Sequence, residues 1–115
     1  MGRMETALIV SSSEKGKDFL ENLLKECGFL RPAFAANGGE ARRLLLEQNF
    51  DLVVINAPLQ DEFGHELAMT LTRTTDFGIL LMVKAELLDA VSAKVEDYGV
   101  FVIPKPIGKQ LFFQT

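Results

Sequence analysis

Four short segments of this chain are apolar along their whole interior: Thr6-Ala7-Leu8-Ile9-Val10, Asp51-Leu52-Val53-Val54-Ile55-Asn56, Gly78-Ile79-Leu80-Leu81-Met82-Val83 and Val100-Phe101-Val102-Ile103. A strand with one wet face alternates apolar and polar residues, whereas a strand that is apolar throughout must be covered on both faces. Helical patterns lie between these segments. Ser13 reads as an N-cap with Glu14 in the first turn, where the helix dipole favours an anion. Phe19, Leu20, Leu23, Leu24 and Cys27 follow at helical spacing, and Gly28 is placed to end the helix in the left-handed conformation. Glu40–Gln48 carries Ala41, Leu44 and Leu45 on one face and Arg42 and Arg43 on the other. Further helices are expected over His65–Thr74, over Glu86–Tyr98 up to Gly99, and from Ile107 to Thr115, after Pro104-Lys105-Pro106 breaks the last strand. Pro32–Ala36 is a weaker strand whose proline suits its first residue or a sheet edge. Asn37-Gly38-Gly39 reads as a turn.

The order is strand then helix, five times over. It predicts an α/β chain with a doubly wound, five-stranded parallel sheet in a three-layer αβα sandwich. Right-handed crossovers leave few topologies, and the flavodoxin-like order 2-1-3-4-5 is the expected one. With 115 residues the chain makes one domain, residues 1–115. In such folds chemistry sits at the carboxyl ends of the strands, beside the switch point between strands 1 and 3. Ser11, Ser12, Asn56, Lys84 and Lys105 fall there.

Composition narrows the classes. No apolar run approaches the ~20 residues of a membrane span. One cysteine excludes an internal disulfide framework and fits a reducing cytoplasm; one cysteine and one histidine make a zinc site unexpected. The net charge of −4 weighs against a nucleic-acid surface, which needs clustered Lys and Arg.

The strand Leu8-Ile9-Val10, the segment from Asp51 to Gly64, with Gly64 eight residues after Asn56, and the step Pro104-Lys105-Pro106 together resemble the CheY-like receiver domains of two-component response regulators. The resemblance covers essentially the whole chain. Active receivers carry an acidic pair after strand 1, an acceptor Asp at the end of strand 3, a Thr or Ser after strand 4 and a Lys after strand 5. The carboxylates hold Mg²⁺, and the acceptor attacks phosphorus. Here Ser11 and Ser12 occupy the acidic-pair positions and Asn56 the acceptor position. Lys84 stands at the Thr or Ser position and Val102 at that of the switch aromatic. Only Lys105 matches. An amide offers no anionic nucleophile, and serine hydroxyls are poor Mg²⁺ ligands. The resemblance therefore implies a non-enzymatic pseudo-receiver with no metal and no cofactor. Its pocket would be positive where an active receiver's is negative, with one lysine turned outward or paired with Asp61, Glu62 or Glu86.

A narrower likeness runs through Gly39–Glu47, Ile55-Asn56-Ala57-Pro58-Leu59, Val95–Val100 and Pro104–Ile107, which are similar to the receiver half of response regulators with a putative antiterminator (ANTAR) output domain. It implies RNA-binding helices beyond Thr115, a last helix cut short, and protein partners. The receiver resemblance itself implies a homodimer through the face of the fourth helix, fifth strand and fifth helix, where Leu87, Leu88, Val91, Phe101 and Phe113 are the residues to watch for exposure.

Other candidates carry less. Ser11-Ser12-Ser13 lacks the glycine pattern of a phosphate loop and a nearby base, so capping and turn roles are expected. His65 opens a helix far from any nucleophile. Cys27 is expected in the core or packed at a helix end. The competing reading is a small flavodoxin-like enzyme or ligand-binding domain that uses the strand-end pocket.

Overall fold

The computed structural model describes residues 6–73 and 77–105. Five parallel strands, β1 (Ala7–Ser11), β2 (Ala33–Ala35), β3 (Leu52–Asn56), β4 (Gly78–Lys84) and β5 (Phe101–Lys105), form one sheet in the order β2-β1-β3-β4-β5. The helices are α1 (Glu14–Glu26), α2 (Gly38–Glu47), α3 (Gly64–Thr72) and α4 (Leu88–Val95), the last preceded by a 3-10 turn over Ala85–Leu87. The fold class, strand order and alternation match the expectation. No helix among the described residues is long and apolar enough to cross a membrane.

Each central strand is buried on both sides, as its unbroken apolar run requires. Alternate residues feed two cores. Ile9, Val54 and Met82 pack with Leu20, Leu23 and Leu24 of α1 on one face. Leu8, Val10, Val53, Ile55 and Leu81 pack on the other face with Ala41 of α2, Leu67 and Leu71 of α3, and Val91 of α4. Each such aliphatic side chain contributes about 1.5–3 kcal/mol on leaving water. The register that aligns these layers pairs Ser11 with Asn56, Asn56 with Met82, and Lys84 with Lys105, so the polar strand ends converge.

Local signals place the first helix. Ser13 is the N-cap, its hydroxyl accepting from the Gly16 N–H at 3.1 Å, and Gly28 takes φ +103° just past the helix. Several boundaries differ from expectation. Asn37 caps α2 and accepts from the Glu40 N–H at 2.9 Å, so Gly38 and Gly39 are helical rather than a turn. Their N–H groups donate to the Asp61 carboxylate at 2.9 and 3.0 Å, a cap reaching across from the β3–α3 loop. Pro104 lies inside β5 opposite Val83 instead of breaking it, which is tolerable because β5 is the edge of the described sheet. The helix expected over Glu86–Tyr98 is divided, with a 3-10 start and an α-helical end at Val95.

Burial corrects other readings. Cys27 is exposed at the α1 C-cap and is no part of the core. Phe19 is 39 % exposed, although it shares the helical spacing of the buried Leu20, Leu23 and Leu24. Val91 is only 8 % exposed and belongs to the core, so it offers little to a dimer face; Leu88 is half-buried, whereas Leu87 and Phe101 are exposed at 48 % and 61 %. Phe113 and the helix expected from Ile107 lie outside the described residues.

Candidate functional site

Asn56 ends β3 in the middle of the sheet, and its side chain has 7 % exposure. Burial of an amide obliges it to find partners, and both ends have one. Nδ2 donates to Ser11 Oγ at 3.1 Å, and Oδ1 accepts from Lys105 Nζ at 3.0 Å. Lys105 Nζ donates also to the Ala57 carbonyl. Ser11, equally buried, in turn donates to the Ser13 carbonyl at 2.9 Å and accepts from the Ser13 N–H at 3.2 Å.

Gly16, in the first turn of α1, lies directly over this amide: a Cβ there would be 2.2 Å from Asn56 Nδ2 and 3.2 Å from Ser11 Oγ. Only glycine lets the helix approach this closely. Ser12 faces elsewhere. Its hydroxyl donates to the Ala36 carbonyl at 2.6 Å and accepts from the Gln60 N–H at 3.2 Å, tying the end of β2 to the β3–α3 loop.

The structure thus brings Ser11, Asn56 and Lys105 into direct contact, keeps Ser12 at the rim, and sets Lys84 beside Lys105 as its register partner. Val102 packs towards the α2–α4 core, away from this group. Lys84 is exposed, and two of its expected carboxylate partners are committed to α2: Asp61 caps Gly38 and Gly39, and Glu62 holds the Arg42 guanidinium through two bonds, the longer at 2.9 Å. The third, Glu86, lines the cleft beside Lys84 but makes no ion pair with it among the described residues. Burial, and secondarily the charge of Lys84, hold the Lys105 ammonium below its usual lysine pKa. The backbone bonds from Gly38 and Gly39 hold the Asp61 carboxyl below the usual range. His65 stacks on Phe63 with ring centroids 5.5 Å apart; burial first, then Lys94, keep its pKa below the ordinary histidine value.

Above these residues opens a cleft of about 650 Å³, lined by Lys15, Gly16, Phe19, Pro58, Lys84 and Lys105 among others. Lys15 and Gly16 were not singled out from sequence. The available signal was Gly16 itself, a glycine where a helical first turn would ordinarily use a better helix former.

The donor set does not fit Mg²⁺. Ser11 and Ser12 give their hydrogens to backbone carbonyls, and the one amide oxygen of Asn56 takes a lysine ammonium. A hard dication asks for carboxylate oxygens free of cations. Among the described residues no three His, Cys, Asp or Glu side chains converge.

No family model matches the chain, and no curated protein matches it. Solved structures do. The signal receiver domain of an HD domain-containing protein from Pseudomonas fluorescens Pf-5 superposes with a TM-score of 0.86 at 23 % identity, over 99 % of this chain and 85 % of that one. A two-component response regulator from Clostridium difficile gives 0.83 at 21 % identity over 96 % and 90 %. The chemotaxis protein CheY4 of Vibrio cholerae gives 0.83 at 18 % identity over 97 % and 95 %. With its 2-1-3-4-5 parallel sheet and polar strand ends, this chain has the fold of CheY-like response regulator receiver domains.

Proposed function

We propose that this chain is a receiver-fold regulatory domain that works through protein contacts and without phosphorylation. The observation that carries this reading is the Asn56 amide, buried and bonded at both ends. An acyl phosphate needs an anionic side-chain oxygen with a lone pair aimed at phosphorus. The Asn56 oxygen is neutral and accepts a hydrogen bond from Lys105, and its nitrogen is a donor. No residue here acts as a catalyst in this reading.

The test is incubation with Mg²⁺ and acetyl phosphate, followed by intact-mass measurement. No phosphoryl adduct is expected; a stable, Mg²⁺-dependent acyl phosphate overturns the reading. Asn56→Asp alone is expected to restore little, because Ser11 and Ser12 still replace the metal-binding pair.

The finer assignment is to an antiterminator-type regulator, in which RNA would be contacted only by a segment following Thr115. Self-association through α4 and β5 is part of it, supported by the exposure of Leu87 and Phe101. A Leu87→Glu/Phe101→Glu variant that keeps the wild-type mass distribution in light scattering removes that part.

A second reading, ligand binding at the strand ends, is favoured by the lysine-lined cleft.

A further inference from the structure

We infer that the cleft over the strand ends binds a small organic anion with a flat apolar body, its head on Lys84, Lys105 and Lys15 and its body against Phe19 and Pro58. Among the described residues, three lysines line this cleft against one carboxylate, Glu86, in a chain whose net charge is −4. The local sign is therefore opposite to that of the whole molecule. Among the described residues no carboxylate lies within ion-pairing distance of Lys15, Lys84 or Lys105. Of the nearby acids, Asp61 and Glu62 cannot turn to them without releasing α2, and Glu86 is the one carboxylate of the described lining. Lys84 and Lys105 sit on paired strands at the same register position, so their repulsion is relieved by an anion placed between them.

The apolar half of the argument comes from Phe19. Its neighbours Leu20, Leu23 and Leu24 are wholly buried, yet Phe19 stays 39 % exposed and lines the cleft beside the lysines. At about 650 Å³ the cleft is in the size range of small-molecule sites. An inorganic anion alone would leave Phe19 and Pro58 wet, whereas an aryl phosphate or aryl carboxylate covers both halves.

The inference rests on the reading that Asn56 is not phosphorylated and that the pocket holds no Mg²⁺, so that its lysines are left for a non-covalently bound anion. The probe is phenyl phosphate, titrated without Mg²⁺ by calorimetry and amide NMR, beside inorganic phosphate and phenol as its two halves. Phenyl phosphate is expected to bind about tenfold more tightly than either half, from the added apolar burial, with shifts at Gly16, Phe19 and Lys84. Phe19→Ala should bring phenyl phosphate down to the level of inorganic phosphate, and Lys84→Met should weaken both anions. Phe19→Leu, which keeps bulk, guards against a folding defect and should retain part of the gain. Absence of saturable shifts, shifts confined to another surface, or equal loss of both anions in Phe19→Ala overturns the inference and leaves the phosphorylation-independent reading standing. Binding that appears only with Mg²⁺ overturns both.

Discussion

Replacing Gly16 by alanine puts a methyl group 2.2 Å from the Asn56 amide nitrogen and 3.2 Å from Ser11 Oγ. The first distance cannot persist, so either α1 lifts or the amide moves. The amide is short, 7 % exposed and bonded at both ends, which leaves it little room to yield. Forcing a methyl into a packed site costs about 1–3 kcal/mol. Losing a net hydrogen bond at Asn56 adds about 1 kcal/mol. Alanine returns about 0.5–1 kcal/mol as the better helix former. The balance is a destabilisation of about 1–3 kcal/mol. The assay is a double-mutant cycle by urea denaturation, with Gly16→Ala made in the wild type and in Asn56→Ala. In the truncated background the nearest clash is gone, and Gly16→Ala is expected to be neutral within about 0.5 kcal/mol, the propensity gain offsetting the remaining contact with Ser11. A coupling of at least about 1 kcal/mol is therefore expected. Equal effects in the two backgrounds would refute the claim that Gly16 exists to admit this amide.

Two titrations follow from the electrostatics. Lys105 has a folded pKa below its unfolded value, so the native state binds fewer protons between the two and stability rises with pH across that alkaline window. Removing the Lys84 charge in Lys84→Met should raise the Lys105 pKa, read by NMR of its side chain, and flatten that rise; an unchanged titration separates the two lysines. Asp61 has a depressed folded pKa, so its contribution is complete above the usual carboxylate value and is lost as pH falls through the folded one. The stability difference between wild type and Asp61→Asn should shrink on acidification below about pH 4, and a difference that holds constant argues against Asp61 as the cap of α2.

The sheet was legible because its strands are apolar on every interior position, a pattern with few folded solutions. Strand order came from the alternation with helices and the handedness of crossovers. Ser13 and Gly28 marked the ends of α1 through local chemistry alone. What stayed hidden depends on partners distant in sequence. Gly38 and Gly39 look like a turn until Asp61 is found capping them from more than twenty residues away. The same contact explains why Lys84 is not paired with Asp61 or Glu62, since both serve the helix instead. Phe19 has the helical spacing of a core residue, and only the position of the cleft shows that it faces out. At the site, Ser11, Asn56 and Lys105 were readable as neighbours because all end parallel strands. Gly16 was not, because nothing local says which side chain a helix turn will rest on.

The bonds around Asn56 also have a sense of direction. Lys105 donates to the Asn56 oxygen, the Asn56 nitrogen donates to Ser11, and Ser11 donates to the Ser13 carbonyl at the head of α1. These three bonds run one way, from β5 towards the first helix, while the Ser13 N–H donates back to Ser11 Oγ. A carboxylate at position 56 would set lone pairs against Ser11 Oγ, whose single hydrogen is already given away. Restoring an acid there is therefore more than the exchange of one atom: Ser11 would have to reverse, releasing the helix cap it now supports, before the new oxygen had any partner on that side.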